Sequence, residues 1–302
     1  MKIRQTIEVP RCGVKKVSQK IFGMPLQNSL VAVMDVMGFS SMLENNSELF
    51  NLVQTNVAFE SCCKRIKHLA SIFNDKGEMR KIQKRMFHFQ FSDTLVLVLP
   101  LQTKLMELQF AAFIDKVIWT VEAYFEGGFP VQCQIEFGDC LWNNEEYFLL
   151  GKPFVDAHVN AGLLDFAGVV MSDKVVEMIK EKIRDLDRVR RIFRVLGVEQ
   201  ISVPIKNNGF QPRYCIDWRY SRYDKKASKI DIRQYLVRKF TEHGKGLSSS
   251  VINKLNNTEY LIRQFWECAR EFQEEESWYK ISPQVKNMAG MAHTRHKRAN
   301  AK

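Results

Sequence analysis

The sequence lacks any apolar run long enough to cross a membrane. A membrane-spanning helix needs about 20 consecutive apolar residues, and the most apolar stretch, LVLVLPL at 95–101, is predicted to be a buried strand. The first residues, MKIRQTIEVPR, also lack the apolar core of a signal peptide. These absences predict a protein that is neither inserted in a membrane nor exported.

Cysteine spacings typical of zinc or redox sites and nucleic-acid-binding signatures are missing as well. The seven cysteines are scattered and no C-x-x-C spacing occurs, which predicts a reduced, cytoplasmic protein. The net charge of +11 permits nucleic-acid binding, but no helix-turn-helix, zinc-finger or RNP pattern accompanies it. The same charge would attract a nucleoside triphosphate. Nucleic-acid binding therefore rests on charge alone, and no nucleic acid is expected as a partner.

The stretch that carries chemistry is LVAVMDVMGFSSML at 30–43. The pattern predicts an apolar strand that ends at an acid, Asp35, followed by a glycine turn and a helix start. A carboxylate at this point suits a hard cation, and the amides of the turn suit phosphate oxygens. Those amides belong to Met37, Gly38, Phe39 and Ser40. Capping of the next helix is the alternative role for the aspartate.

A second acid, Asp93, lies inside the apolar and aromatic run FHFQFSDTLVLVL at 87–99. An acid in such a run is costly unless it is paired or binds a metal. If the strands that carry Asp35 and Asp93 are neighbours, the two acids could share one or two divalent ions. Such a pair of ions steers in-line phosphoryl displacement in many enzymes.

The motifs that carry Asp35 and Asp93, and the order in which they occur, resemble those of the catalytic domain of class III nucleotide cyclases. The resemblance covers about residues 28–218. The metal-binding aspartates of that family match Asp35 and Asp93, and its triphosphate-binding lysine matches Lys206 in V-P-I-K. The resemblance implies two Mn²⁺ or Mg²⁺ ions per site, held by these aspartates and the backbone oxygen of Val36. It also implies a homodimer with active sites at the interface.

Departures from that family pattern indicate a narrower group. The ribose-orienting Asn and the charge-stabilising Arg of the family fall on Val155 and Val159, and its two purine-selecting residues fall on Phe89 and Phe148. The sequence is instead similar to the pyrimidine cyclases of bacterial Pycsar anti-phage systems, in the combination of FSDT at 91–94, GKPFVDA at 151–157, VPIK at 203–206 and NNTEYLIRQFWE at 256–267. That resemblance implies UTP or CTP as substrate, with cyclic UMP preferred over cyclic CMP, and a separate effector that responds to the product.

Several assignments stay open at this stage. Aromatic side chains could narrow a pocket to the size of a pyrimidine, and Phe50, Phe89 and Phe148 are the candidates, although each also suits an ordinary core. Another cation must replace the missing Arg, and Lys152 and the basic residues at 80–85 are candidates. The valines at the family positions also allow an inactive cyclase-like domain that binds a nucleotide or a partner.

The predicted fold is α+β and cyclase-like: a ferredoxin-like core with a mixed antiparallel sheet and packed helices, plus a C-terminal helical extension. Helices are predicted at 56–73 and 104–126, and Gly127-Gly128 should stop the second of them. Strands are predicted near 190–196, 199–206 and 212–218, and a linker is predicted at 240–250. The predicted regions are a lead-in at 1–27, a catalytic domain at 28–218, a basic connector at 219–250, a helical extension at 251–285 and a disordered basic tail at 286–302.

Overall fold

The computed structural model describes residues 24–39, 82, 86–143, 148–219 and 231–274. One sheet of eight strands runs through these ranges. The strands are β1 (Met24–Val36), β2 (Phe87–Phe91), β3 (Thr94–Pro100), β4 (Val131–Asn143), β5 (Phe148–Leu150), β6 (Gly168–Met171), β7 (Val198–Ile205) and β8 (Gly209–Ile216).

The strand that carries Asp35 lies inside the sheet. The strand order is β2-β3-β1-β4-β6-β8-β7, and β5 pairs with the last residues of β4. Neighbouring strands are antiparallel, except that β4 and β6 are parallel. The prediction of an α+β fold with a mixed, mostly antiparallel sheet is therefore confirmed.

Six helices accompany the sheet in the described part of the chain. They are α1 (Met106–Glu126), α2 (Lys152–Leu163), α3 (Asp173–Ile183), α4 (Leu186–Val195), α5 (Ile232–Thr241) and α6 (Ser249–Glu274). None of the helices in these ranges is long and apolar enough to cross a membrane. The helix predicted at 104–126 is confirmed as α1, whereas the helix predicted at 56–73 lies outside the described residues.

Alternation along β1 gives the sheet two different faces. One face belongs to the main core, into which α1 also packs, and it receives Leu30, Ala32 and Met34 from β1. The other face belongs to a smaller core that includes Ala157 of α2, and it receives Val31 and Val33. Because side chains along a strand alternate, Asp35 lies on the same face as Val33, the face that α2 covers.

The end of α1 confirms the predicted glycine stop. Gly128 has a φ of +79°, in the left-handed region that favours glycine. Its amide donates to the carbonyl of Phe125 at 2.9 Å, and the amide of Phe129 donates to the carbonyl of Tyr124 at 2.8 Å. These two bonds satisfy carbonyls of the last turn that have no partner within the helix.

Basic residues from the C-terminal part of the chain contact the remaining carbonyls at the end of α1. The pairs are Lys239 Nζ with the Glu126 oxygen at 2.7 Å, His243 Nε2 with the Gly127 oxygen at 2.7 Å and Lys245 Nζ with the Gly128 oxygen at 2.5 Å. Positive groups are favourable there because the carbonyl end of a helix carries partial negative charge. We call these three residues the α1 cap cluster.

The strand predicted near 190–196 is wrong, because those residues belong to α4. The side chain of Asp185 accepts bonds from the amides of Asp187 and Arg188, at 3.0 and 3.1 Å, and so begins the helix. Val189 and Phe193 recur at a spacing of four residues and are buried on one face. That helical spacing within a strongly charged segment outweighs the short apolar run that indicated a strand.

The linker predicted at 240–250 is also wrong for much of its length. The last residues of α5 and a 3-10 turn at Glu242–Gly244 occupy its first half, and α6 begins at Ser249. Lys245, between them, is only 6% exposed. The stretch is ordered because its cations satisfy the end of α1, a requirement that its Gly and Ser content does not reveal.

Candidate functional site

The structure brings Asp35 and Asp93 together at one end of the strands, where β1 ends beside the β2–β3 turn. Asp35 faces Thr94 in the antiparallel register of β1 and β3, and Asp93 directly precedes Thr94. The amide of Val36 donates to the backbone carbonyl of Asp93 at 3.3 Å. The hydroxyl of Thr94, which is buried, donates to Oδ1 of Asp35 at 3.3 Å. The expected adjacency of the two acid-bearing segments is therefore observed.

Asp93 lies in a turn and not within a strand, which corrects the prediction of two strand-borne acids. The ladder between β2 and β3 closes with Phe91 opposite Thr94, and Ser92 and Asp93 form the two-residue connection. Ser92 has a φ of 50°, in the left-handed region that such tight hairpins use. Because the turn projects from the sheet, Asp93 avoids the burial that its apolar neighbours undergo.

Asp35 is partly buried, and its electrostatic surroundings disfavour a lone negative charge. Burial raises the pKa of the Asp35 carboxyl above its usual value, and the nearby charge of Asp93 raises it further. The hydrogen bond from Thr94 and the positive charges of His158 and Lys254 act in the opposite direction. A bound cation would relieve this repulsion between two acids.

The donor set at this end of the strands fits a hard divalent cation. Two carboxylates and the backbone oxygen of Val36 are oxygen ligands, the type that Mg²⁺ and Mn²⁺ prefer. Within the described ranges there is no cluster of three or more His, Cys, Asp or Glu side chains that could hold a metal ion. Mg²⁺ sites commonly use one or two carboxylates and take their other ligands from water and substrate phosphates.

The turn after β1 offers fewer amides to a phosphate than the sequence indicates. The amide of Met37 already donates to the carbonyl of Pro130 at 2.8 Å. Gly38 adopts a φ of +72°, and the aliphatic stem of Lys245 lies 3.3 Å from where a Cβ would be. Phe39 is helical, and Ser40 lies outside the described residues. Of the four predicted amides, that of Gly38 is therefore the candidate that the structure leaves.

Lys206 is the first residue after β7 and lies beside the end of α2. Its amide donates to the carbonyl of Leu163 at 2.9 Å, and its Nζ donates to the carbonyl of Gly162 at 2.5 Å. An ammonium group carries three N–H donors. One bond to Gly162 therefore holds the lysine in place and leaves two donors for a ligand.

The aromatic candidates for a base pocket lie on different elements. Phe89 on β2 packs against Trp142 and Phe154, with ring centroids 5.4 and 6.3 Å apart. Phe148 is the first residue of β5 and is half-buried. Phe50 lies outside the described residues. The ring contacts give Phe89 a packing role in the smaller core in addition to any contact with a ligand.

The positions that depart from the cyclase pattern are exposed on α2. Val155 is 52% exposed and Val159 is 55% exposed. Of the cations considered as replacements for the Arg, Lys152 donates to Asp156 at 2.7 Å, one turn along the helix. The basic residues at 80–85 cannot be placed, since 80, 81 and 83–85 lie outside the described residues.

Sequence reasoning missed Lys254, which is near the site although it lies on α6. Its positive charge lowers the pKa of the Asp35 carboxyl, so the two groups are within electrostatic range. No motif marks this lysine, because its proximity to Asp35 depends on how a distant helix packs. The available signal was the helical pattern of its surroundings, which places Lys254 and Thr258 on one face.

The comparisons with known proteins add a weak structural similarity. No family model matches the sequence, and no curated protein sequence matches it. One similar solved structure is the catalytic core of a rhodopsin-guanylyl cyclase with converted specificity in complex with ATPalphaS, with 9% identity, 64% of this chain and 96% of that chain covered, and a TM-score of 0.34. Another is the guanylyl cyclase Cya2, with 13% identity, 65% and 93% covered, and a TM-score of 0.38. Both TM-scores are low, so the similarities carry no argument about the activity of this chain.

Proposed function

We propose that this protein is a pyrimidine nucleotide cyclase that converts UTP or CTP into the 3′,5′-cyclic monophosphate and pyrophosphate. The observation that supports the proposal most is the meeting of Asp35 and Asp93 beside the turn at Gly38. The resemblance of these two motifs to class III cyclases supplies the reaction. Neither acid has a compensating cation in hydrogen-bond contact within the described part of the chain, as an acid pair that awaits metal ions requires.

In this proposal Asp35, Asp93 and the backbone oxygen of Val36 hold two Mn²⁺ or Mg²⁺ ions. When bound, such ions acidify the 3′-hydroxyl of the ribose and neutralise the charge on the phosphates as pyrophosphate leaves. Thr94 holds the Asp35 carboxylate by its hydroxyl at 3.3 Å, which limits rotation of that ligand. The chain itself then needs no side-chain base.

Contacts to the phosphates come from the protein in two ways. Lys206, held in place by its bond to Gly162, would place its other donors against phosphate oxygens. The amide of Gly38 would do so from the turn after β1. The amide of Met37 is not part of this set, because it donates to Pro130.

The proposal also includes selection of a pyrimidine base over a purine base. Phe89 and Phe148 stand where the family selects purines, and bulky rings leave less room than a purine needs. Packing of Phe89 between Trp142 and Phe154 would keep its ring rigid, which favours steric selection. We propose that UTP is preferred over CTP as the substrate, on the basis of the sequence resemblance to the Pycsar pyrimidine cyclases.

We further propose a cytoplasmic homodimer with sites at the interface. Val155 and Val159 present apolar side chains on the outer face of α2, more than half exposed, one turn apart. Burial of that stripe against a second copy would remove it from water. By resemblance the cyclic product would be a defence signal read by a separate effector protein.

The decisive experiment is to incubate the purified protein with each of the four NTPs and Mn²⁺ and to identify the products. Cyclic UMP or cyclic CMP is expected, and it should disappear in Asp35→Ala and Asp93→Ala. Glu181→Gln, a change at an exposed acid of α3, serves as the matched control and should leave turnover intact. A cyclic purine product, or unchanged turnover in both Asp variants, contradicts the proposal.

A second function, an inactive cyclase-like domain that binds a nucleotide, is favoured by one observation. Val155 and Val159 stand exposed where an active family member carries the ribose-orienting Asn and the charge-stabilising Arg. Tight binding of UTP without any product, under the same conditions, would support this alternative and not the cyclase.

A further inference from the structure

The C-terminal helix α6 is fastened to the segment that leads into β6. Nδ2 of Asn257 donates to the backbone oxygen and to Oδ2 of Asp165, at 2.8 and 3.0 Å. The amide of Ala167 donates to Oγ1 of Thr258 at 2.8 Å, and Thr258 is fully buried. These bonds fix both the rotation of α6 and its position against 165–167.

The segment at 165–167, which α6 binds, lies close to Asp35. Gln132 on β4 faces Asp35 in the register with β1, and its side-chain amide donates to the carbonyl of Leu164. Gln132 also pairs with Gly168, the first residue of β6. The face of α6 that holds 165–167 is therefore turned towards the end of the strands where the two acids meet.

Lys254 lies on this face of α6, one turn before Thr258. Oγ1 of Thr258 donates to the backbone oxygen of Lys254 at 2.7 Å. The Lys254 side chain is half-buried and makes no hydrogen bond or ion pair with any residue that the structure describes. A half-buried ammonium group that no described carboxylate contacts directly is costly, so an anionic ligand would stabilise it.

The charges around Lys254 show which groups it faces. Burial lowers the pKa of the Lys254 ammonium, and the nearby positive charge of Lys206 lowers it further. The negative charges of Asp165 and Asp35 raise it. Lys254 is thus within electrostatic range both of the phosphate-binding candidate Lys206 and of the candidate metal ligand Asp35.

We infer that Lys254 contacts the phosphate groups of a nucleoside triphosphate bound at Asp35 and Asp93, an inference that rests on the proposed function. Lys206 and Lys254 then converge on the same anion from the end of β7 and from α6. The cation that compensates for Val159 comes from the C-terminal helix of the same chain. The polyphosphate supplies the direct anionic contact that this half-buried ammonium group does not make with any described residue.

The test compares Lys254→Met, Lys254→Arg and a matched control, Lys182→Met, which removes an exposed lysine on α3. Binding of inorganic tripolyphosphate in the presence of Mg²⁺ is measured by calorimetry on the full chain, together with thermal unfolding and cyclase turnover. We expect Lys254→Met to weaken tripolyphosphate binding at least about tenfold and to lower kcat by about 10²-fold, as loss of one charge-stabilising donor does elsewhere. Lys254→Arg should stay within a few-fold of wild type.

Stability separates a binding role from a packing role. Because Lys254 has no partner among the described residues, Lys254→Met should unfold at the same temperature as wild type or higher. Wild-type tripolyphosphate affinity and turnover in Lys254→Met would overturn the inference and leave the cyclase proposal standing. If the wild-type protein forms cyclic product normally but Lys254→Met merely unfolds at a lower temperature, the inference is also overturned. If wild-type protein forms no cyclic product but still binds tripolyphosphate through Lys254, the proposed function is overturned and the inference about Lys254 stands.

Discussion

The amide of Val36 donates to the carbonyl of Asp93 at 3.3 Å, so a main-chain bond joins the two acid-bearing segments directly beside both carboxylates. The spacing of the backbones therefore does not depend on either acidic side chain. Substitution of Asp35 or Asp93 should remove charge from the site without separating β1 from the β2–β3 turn. This independence makes the two acids suitable for tests that require a folded variant.

The first prediction concerns the stability of metal-free protein. Asp35→Asn should raise the melting temperature in EDTA, by about 2–4 °C for each kcal/mol gained, because the folded state no longer holds a partly buried charge beside Asp93. The pKa of Asp35 is raised in the folded state, so the stability of wild type falls as pH rises above about 4 through that pKa. The variant should lack this fall, as thermal unfolding across pH can show. A lower melting temperature for Asp35→Asn in EDTA would contradict the prediction.

The second prediction concerns Lys245 of the α1 cap cluster. Burial lowers its pKa to about 8, against about 10.4 for an unfolded lysine. Between these values the unfolded state binds more protons, so stability should rise with pH by at most about 1.4 kcal/mol per unit. Urea unfolding of Lys245→Met should show a shallower rise than wild type over this window.

A residual slope is expected in Lys245→Met, because burial also lowers the pKa of Lys116 to about 8. Lys182→Met, at an exposed site, is the control and should keep the wild-type slope. Equal slopes in wild type and Lys245→Met would show that Lys245 is not protonated differently on folding. The slope is the informative quantity, since loss of the bond to Gly128 lowers stability at every pH.

The third prediction tests the dimer. Val159→Asp should shift the protein towards the monomer and lower cyclase activity, because it would place a charge in an apolar contact. Leu186→Asp on α4 is a close control, since Leu186 is 56% exposed and Val159 is 55% exposed. Sedimentation velocity of both variants gives the comparison. A monomeric wild type, or equal effects of both changes, would count against the proposed interface.

The fourth prediction concerns Phe89. Phe89→Ala should cost about 2–4 kcal/mol in unfolding free energy, because Trp142 and Phe154 lose an aromatic neighbour. The space it opens should also reduce the preference for UTP over ATP in kcat/KM. Phe87→Ala, which removes another ring that packs on Trp142 at 5.5 Å, tests whether selectivity follows Phe89 itself. An unchanged UTP-to-ATP ratio in Phe89→Ala would assign this ring to packing alone.

The parts of the fold that the sequence predicts well are those with strong local signals. α1 has a wide apolar face and ends at two glycines, and both features act within one element. Asp35 stands out because an acid follows five apolar residues. The meeting of Asp35 and Asp93 was a conditional expectation from the motif order, and it needed the strand register to be observed.

Other features depend on packing between distant segments. α4 is short and rich in arginine, so its helical spacing competes with an equally short strand pattern. Lys254 comes within electrostatic range of Asp35 because Asn257 and Thr258 bind 165–167, about ninety positions earlier in the chain. The amide of Met37 is not available to a phosphate because it donates to the carbonyl of Pro130, a residue distant in sequence. None of these contacts is encoded by residues near in sequence.

The α1 cap cluster bears on how shortened versions of this protein would behave. Ending the chain at 218, the boundary suggested by motif similarity, would leave the Glu126, Gly127 and Gly128 oxygens without Lys239, His243 and Lys245. It would also uncover main-core side chains that Leu236 and Leu255 now cover. We expect such a truncation to aggregate on expression, whereas one that ends after 274 keeps the whole α1 cap cluster together with Leu236 and Leu255.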